Sequence, residues 1–296
     1  MLTKIQRPGK SIPEIVRTKI VENINISLNN ITTIDGKFII NDKLFFKSQN
    51  KRRPSPCVVN SANFISKKFQ YELSQIENCY GETKINNQSF DGLMNVNYSG
   101  EGYTIKDKNK ILELVHKYIE NKKLPIRTVY TLFPLFYGMY VERGYYNLLP
   151  ELNFARDLFK VEEVNQTFKV GVEFETGNIA SSFRAINKLN TLFHENEIDC
   201  GCFITSNDKC NGATRIWPVS NRNGSFEELI NRNYIDQISL PLVAIGFTPD
   251  GFCQDAPLLG FDGKLYTPED TGRLNDTGEY KVLLGDRKEE ILIPNL

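Results

Sequence analysis

The amino-acid sequence predicts an α/β fold in which helices flank a mixed central β-sheet. Three features point there. Phe168, Val170, Val172 and Phe174 alternate with Lys169, Gly171, Glu173 and Glu175, the period-two signature of a strand with one buried face. Immediately after, Ile179, Phe183, Ile186, Leu189 and Phe193 recur at three- to four-residue spacing, which draws one apolar face of a helix spanning about 179–195. Residues 198–204 and 240–247 then form short apolar runs of the length of core strands. Strand, helix and strand in succession most economically give a parallel pair with a right-handed crossover.

The remaining elements follow in order. Residues 31–40 read as a β-hairpin around Asp35-Gly36, a dipeptide suited to a tight turn. Residues 64–76 have the pattern of a short helix, and residues 86–104, rich in Asn, Gly, Ser and Tyr, that of short strands and turns. Residues 1–110 are therefore expected to be an N-terminal extension of mixed and β character, set apart from a core over 111–296. From Lys108 onward, Ile111, Leu112, Val115, Tyr118 and Ile119 mark a helix. After Leu124-Pro125 a second helix is expected from Ile126 to Tyr140, kinked at Pro134. Asn178 stands where the helix after the Glu-x-Glu strand needs an N-cap.

Composition narrows the class. The 296 residues carry 36 Lys and Arg against 36 Asp and Glu, so net charge is zero, which disfavours a protein that coats nucleic acid nonspecifically. No run of 18 apolar residues occurs, and the first residues lack the apolar segment of a secretory signal. The cysteines Cys57, Cys79, Cys200, Cys202, Cys210 and Cys253 form no Cys-x-x-Cys, and His116 and His194 are the two histidines. A structural zinc site is not expected, and the reducing cytoplasm is the expected compartment. Positive charge is concentrated in Lys47, Lys51, Arg52 and Arg53, which suits either a solvated loop or an arm that meets phosphates.

Chemistry concentrates at Glu173 and Glu175. Strand geometry puts both on one face, ~6–7 Å apart at Cα. An isolated Glu-x-Glu is most often a solvated strand face. Here Asp157 lies 16 residues before Glu173, and Glu142 lies 15 before Asp157, so neighbouring elements can bring further acids to the same face. Several carboxylates without histidine or thiolate suit a hard, oxygen-loving cation, Mg2+ first. Such a site favours phosphoryl chemistry, in which a cation neutralises phosphate charge and acidifies water.

These residues also carry a resemblance. Val172-Glu173-Phe174-Glu175-Thr176-Gly177-Asn178-Ile179, then Ser181-Ser182, Arg184, Asn187-Lys188-Leu189 and Glu197-Ile198-Asp199 closely resemble the central segment of BamHI-type restriction endonucleases, within the PD-(D/E)XK nuclease superfamily. Weaker similarity runs from Leu124 to Arg143 and through Ser220-Asn221-Arg222, residues 226–229, residues 245–247 and Phe261-Asp262-Gly263-Lys264. It spans roughly residues 110–265.

The resemblance implies a restriction-endonuclease-like core and a type II enzyme making Mg2+-dependent double-strand cuts at a short palindrome. Water would attack phosphorus and leave 5′-phosphate ends. It implies Asp157, Glu173 and the Phe174 carbonyl as metal ligands, Glu175 as the water-orienting group where most of the superfamily has lysine, and Glu142 as an auxiliary acid. It implies DNA contacts by Asn178, Arg184, Asn221, Arg222, Asp262, Gly263 and Lys264. Asn221, Ala180 and Lys264 depart from the family pattern at recognition positions, so the DNA sequence read does not carry over. Double-stranded DNA is the expected partner, and the chain is expected to be a homodimer with a contact around residues 183–195. No membrane or nucleotide cofactor is expected. Rival readings are another metal-dependent nuclease of this superfamily, acting in repair or on single strands, and a carbohydrate hydrolase using Glu173 and Glu175.

Overall fold

The computed structural model describes residues 2–6, 12–49, 52–142, 144–146, 148–177, 179–207, 225–235, 238 and 240–295. These divide into two units. The first comprises Met1–Pro8, Lys19–Asn95 and Lys169–Leu296; the second comprises Gly9–Thr18 and Val96–Phe168. The division therefore does not fall near residue 110, as expected. Local periodicity reports where elements begin, whereas the units are set by long-range strand pairing that brings the N-terminal third into the first unit.

A central sheet is formed by β1 (Leu2–Gln6), β2 (Cys79–Tyr80), β3 (Gly92–Thr104), β4 (Lys160–Glu175), β5 (Cys200–Ser206) and β6 (Leu242–Thr248), of which residues 96–104 and 160–168 belong to the second unit and the rest to the first. The spatial order is β1-β6-β5-β4-β3-β2. β5 runs parallel to β4, with Glu173 opposite Phe203, and parallel to β6. β1 is antiparallel to β6, and β2 to β3. The sheet is thus mixed, and the expected β4–helix–β5 parallel pair is present. The expected short strands over 86–104 are instead a hairpin of Thr83–Ile85 with Gln88–Phe90, followed by the 13-residue β3.

Both faces of β4 are covered, which explains why Glu173 is buried rather than solvated. On the Phe168–Phe174 face lies α2 (Ala62–Ser74), started by Ser61, whose side chain accepts from the Asn63 N–H. Its Phe69 stacks on Phe174 with centroids 4.9 Å apart, and Phe174 stacks on Phe247 at 5.3 Å. On the Glu173 face lies α5 (Ile179–His194), which buries Ser182, Ala185, Ile186, Leu189 and Leu192. Glycine lets it sit close: a methyl group at Gly171 would lie 2.8 Å from Leu189 and 3.1 Å from Ile198. The apolar cluster beneath α5 also takes Ile85 and Phe90 from the N-terminal third.

A five-stranded sheet joins chain ends that are remote in sequence. Its order is Glu269–Leu274, Tyr280–Leu284, Glu290–Pro294, Phe45–Gln49 and Arg52–Cys57, over a small core of Phe45, Leu258, Leu283 and Ile291. The basic run is therefore the tip of a strand pair rather than a loop; Lys47 and Arg53 are exposed, and residues 50–51 lie outside the described residues. The expected hairpin over 31–40 contracts to one bridge, Ile34 with Lys37, across a turn in which Asp35 and Gly36 both have positive φ.

The second unit joins helices to the strand residues 96–104 and 160–168. α3 (Lys108–Lys122) buries Ile111, Leu114, Val115 and Ile119, and Asp107 caps its start. The helix expected over 126–140 is broken into a 3-10 turn (Ile126–Thr128), α4 (Val129–Tyr137) and a π-turn (Gly138–Glu142). Pro134 lies inside α4, where its missing N–H removes a helical hydrogen bond. Among the described residues no helix is long and apolar enough to cross a membrane, and Cys57, Cys79, Cys200, Cys202 and Cys253 are free thiols; Cys210 lies outside them.

If the Phe69–Phe174–Phe247 stack holds α2 to the sheet, Phe69→Ala lowers unfolding free energy by about 3–5 kcal/mol. The measurement is the shift of the urea midpoint; a loss below about 1 kcal/mol contradicts this packing role.

Candidate active site

Glu173 is 6% exposed, set in the strand interior beneath α5. From that helix Lys188 reaches down, and its ammonium forms an ion pair with Glu173 Oε1. The same Nζ donates to the Ser89 carbonyl at 2.7 Å and lies 4.4 Å from the centroid of the Phe90 ring. The ammonium thus lies directly against Oε1 and compensates the charge of the buried carboxylate. Burial pushes the Glu173 carboxyl up to about 8; Lys188 opposes that rise, while Asp91 and Glu175 add to it by repulsion.

Asp91 is the second acid of this site. It follows the strand Gln88–Phe90 and precedes β3. Its Oδ2 accepts from the Phe174 N–H at 2.9 Å, and its Oδ1 accepts from Gln70 Nε2 on α2 at 2.7 Å. These bonds fix Asp91 against the backbone between the two glutamates. Burial raises its carboxyl above the ordinary range, opposed by the Phe174 N–H, Gln70 and Lys188. Glu175, at the end of β4, accepts from the Gly177 N–H at 2.6 Å. A methyl group at Gly177 would lie 2.6 Å from that same oxygen, so the turn into α5 needs glycine here. Burial raises the Glu175 carboxyl too, and Asp91 adds repulsion.

The sequence expectations distribute unevenly over this geometry. Glu173, Phe174 and Glu175 are where the pattern put them. Asp157 belongs to the second unit, where it is exposed and receives an ion pair from Lys117 at 2.8 Å; that lysine holds its carboxyl below the usual range. Glu142 lies in the π-turn of the same unit and is exposed. The acid beside Glu173 from a distant part of the sequence is Asp91, which no local motif marks. Its signal was weak: a lone Asp before glycine, separated from Glu173 by almost the whole second unit.

Asn178, Asn221 and Arg222 lie outside the described residues. Arg184 is exposed on α5, donates to Ser181 Oγ at 3.1 Å, and its charge favours ionised Glu175. Asp262, Gly263 and Lys264 form an exposed turn in which Asp262 Oδ1 accepts the Lys264 N–H at 3.0 Å and Gly263 has φ +87°. A methyl group at Gly263 would come within 3.3 Å of Lys67 on α2. Phe183, in the segment expected to form a dimer contact, packs on Tyr234 at 4.4 Å.

The donor set is oxygen only, buried and crowded with negative charge. Among the described residues, no three His, Cys, Asp or Glu side chains converge closely enough to enclose a metal ion. Oxygen donors are the type Mg2+ takes, usually from one or two carboxylates together with substrate phosphate and water.

A family model described as restriction endonuclease BamHI matches residues 3–264. The match takes in the N-terminal third, and Asp91 with it, beyond the span near 110–265 that the motifs suggested. Type II restriction enzyme BamHI of Bacillus amyloliquefaciens is 31% identical over 150 residues, 48% of this chain and 67% of the relative. The chain belongs to the BamHI restriction endonuclease family and is a site-specific deoxyribonuclease.

Proposed function

We propose that this protein is a Mg2+-dependent type II restriction endonuclease that cuts both strands of a short palindromic DNA site as a cytoplasmic homodimer. A palindrome presents two identical half-sites, which a two-fold symmetric reader matches. The observation that carries the metal assignment is the buried Glu173 carboxylate set close enough to Asp91 and Glu175 to be repelled by both. Asp91, Glu173 and the Phe174 carbonyl would hold the ion. We assign the upstream ligand to Asp91 in place of Asp157, because Asp91 accepts the N–H of Phe174 beside Glu173 whereas Asp157 is paired with Lys117.

When bound, the divalent ion supplies charge neutralisation at phosphate and a more acidic water. Glu175 is the group that would orient and deprotonate a water there, and the Gly177 N–H anchors its Oε1. Gln70 and the Phe174 N–H hold Asp91 in place. Arg184, Arg222, Asn178, Asn221 and the 262–264 turn are the candidate DNA contacts, with arginine suited to guanine O6 and N7.

Plasmid digestion in Mg2+ yields discrete fragments from a defined site; a smear points instead to a repair-type or single-strand nuclease. Asp91→Asn and Glu173→Ala lower cleavage by at least about 100-fold, about what outer limits of metal-site loss give, while specific DNA binding persists. Asp157→Ala stays within a few-fold of wild type. An inactive Asp157→Ala beside an active Asp91→Asn removes the ligand assignment.

The raised Glu173 carboxyl also sets a pH dependence. Between its ordinary value of 4.5 and about 8, the folded chain holds a proton there that the unfolded chain releases. This contribution to stability is complete below the ordinary value and is lost as pH rises through about 8. In EDTA, thermal midpoints of the wild type thus fall more steeply from pH 5 to 8 than those of Glu173→Gln. Parallel profiles for the two proteins contradict the assignment of the buried proton to Glu173.

A further inference from the structure

We propose that Lys188 is a positioning residue of the active site: its ammonium spans the Asp91 segment and Glu173 and sets the separation of the two carboxylates that take the divalent ion. The proposal rests on the metal-dependent reading above. Its basis is one nitrogen with three contacts on two chain segments. Nζ pairs with Glu173 on β4, donates to the Ser89 carbonyl at 2.7 Å and sits 4.4 Å from the Phe90 ring centroid. Ser89 and Phe90 are the two residues before Asp91. The helix therefore ties together strand segments whose carboxylates belong to one site.

Two of the three contacts do not involve Glu173. The ammonium stays anchored by Ser89 and Phe90 when the glutamate oxygens turn to an ion, and it continues to hold the carboxylate from the side. The side chain is 26% exposed, so its head is a fixed part of the site wall rather than a solvated surface charge. Groups that orient a ligating carboxylate in this way change metal affinity by about 10–100-fold when removed.

A Coulomb effect and a positioning effect have opposite signs here. Deleting a cation next to a divalent site strengthens ion binding by electrostatics alone. Deleting the group that spaces the ligands weakens it. Calorimetric titration of the full chain with Ca2+ distinguishes them, using wild type, Lys188→Met, Lys188→Arg and Glu173→Ala. Lys188→Met binds Ca2+ about 10–100-fold more weakly than wild type, and Lys188→Arg falls between them. In cleavage assays the half-saturating Mg2+ concentration of Lys188→Met rises by a larger factor than its rate at saturating Mg2+ falls. Ca2+ affinity of Lys188→Met equal to or tighter than wild type overturns the proposal. If that variant lacks a cooperative melt, Lys188→Arg decides by the same criterion. Wild type that does not bind Ca2+, or Glu173→Ala that binds it as wild type does, overturns the metal reading itself, and Lys188 falls with it.

Discussion

A carboxylate buried under a helix is the constraint around which this chain is arranged. Glu173 sits in an interior strand, covered by α5, where water cannot solvate its charge. An ionised acid in such a place is costly unless a cation is near. Lys188 is the resident cation, and Asp91 and Glu175 make the field more negative still. A divalent ion bound there would offset the repulsion among these acids.

The two faces of β4 divide the work. On one face, three stacked rings from α2, β4 and β6 lock the strand in register and bring Gln70 over Asp91. On the other, Gly171 removes the side chain that would hold α5 away, and the helix comes close enough for Lys188 to reach Glu173. Gly177 makes the turn between strand and helix and gives its N–H to Glu175. Apolar packing, glycine placement and the acidic site are thus one design: each ligand candidate is held by a group whose own position is fixed by the core.

Much of this was legible in the sequence because its signals are local. Alternation located β4, the 3.6-residue period located α5, and the parallel β4–α5–β5 unit followed from their order. Glu173, Phe174 and Glu175 stood in a single motif. Asp91 was missed because nothing local marks it: the second unit separates it from Glu173 in sequence, and backbone pairing alone brings them together. Asp157 drew attention through its short spacing to Glu173, but its carboxylate is committed to Lys117. The N-terminal third looked like an appendage because β1 and Phe45–Gln49 find partners more than half a chain away. Lys188 lay inside the recognised motif, yet only its contacts with Ser89, Phe90 and Glu173 give it a role.

The central claim is that Asp91 and Glu173 share a divalent ion. Anomalous diffraction from crystals soaked in Mn2+ tests it most directly. The account predicts one strong peak about 2.1 Å from a carboxylate oxygen of each, next to the Phe174 carbonyl. A peak bound to Asp157 without Asp91, or no peak at Glu173 at saturating Mn2+, contradicts it.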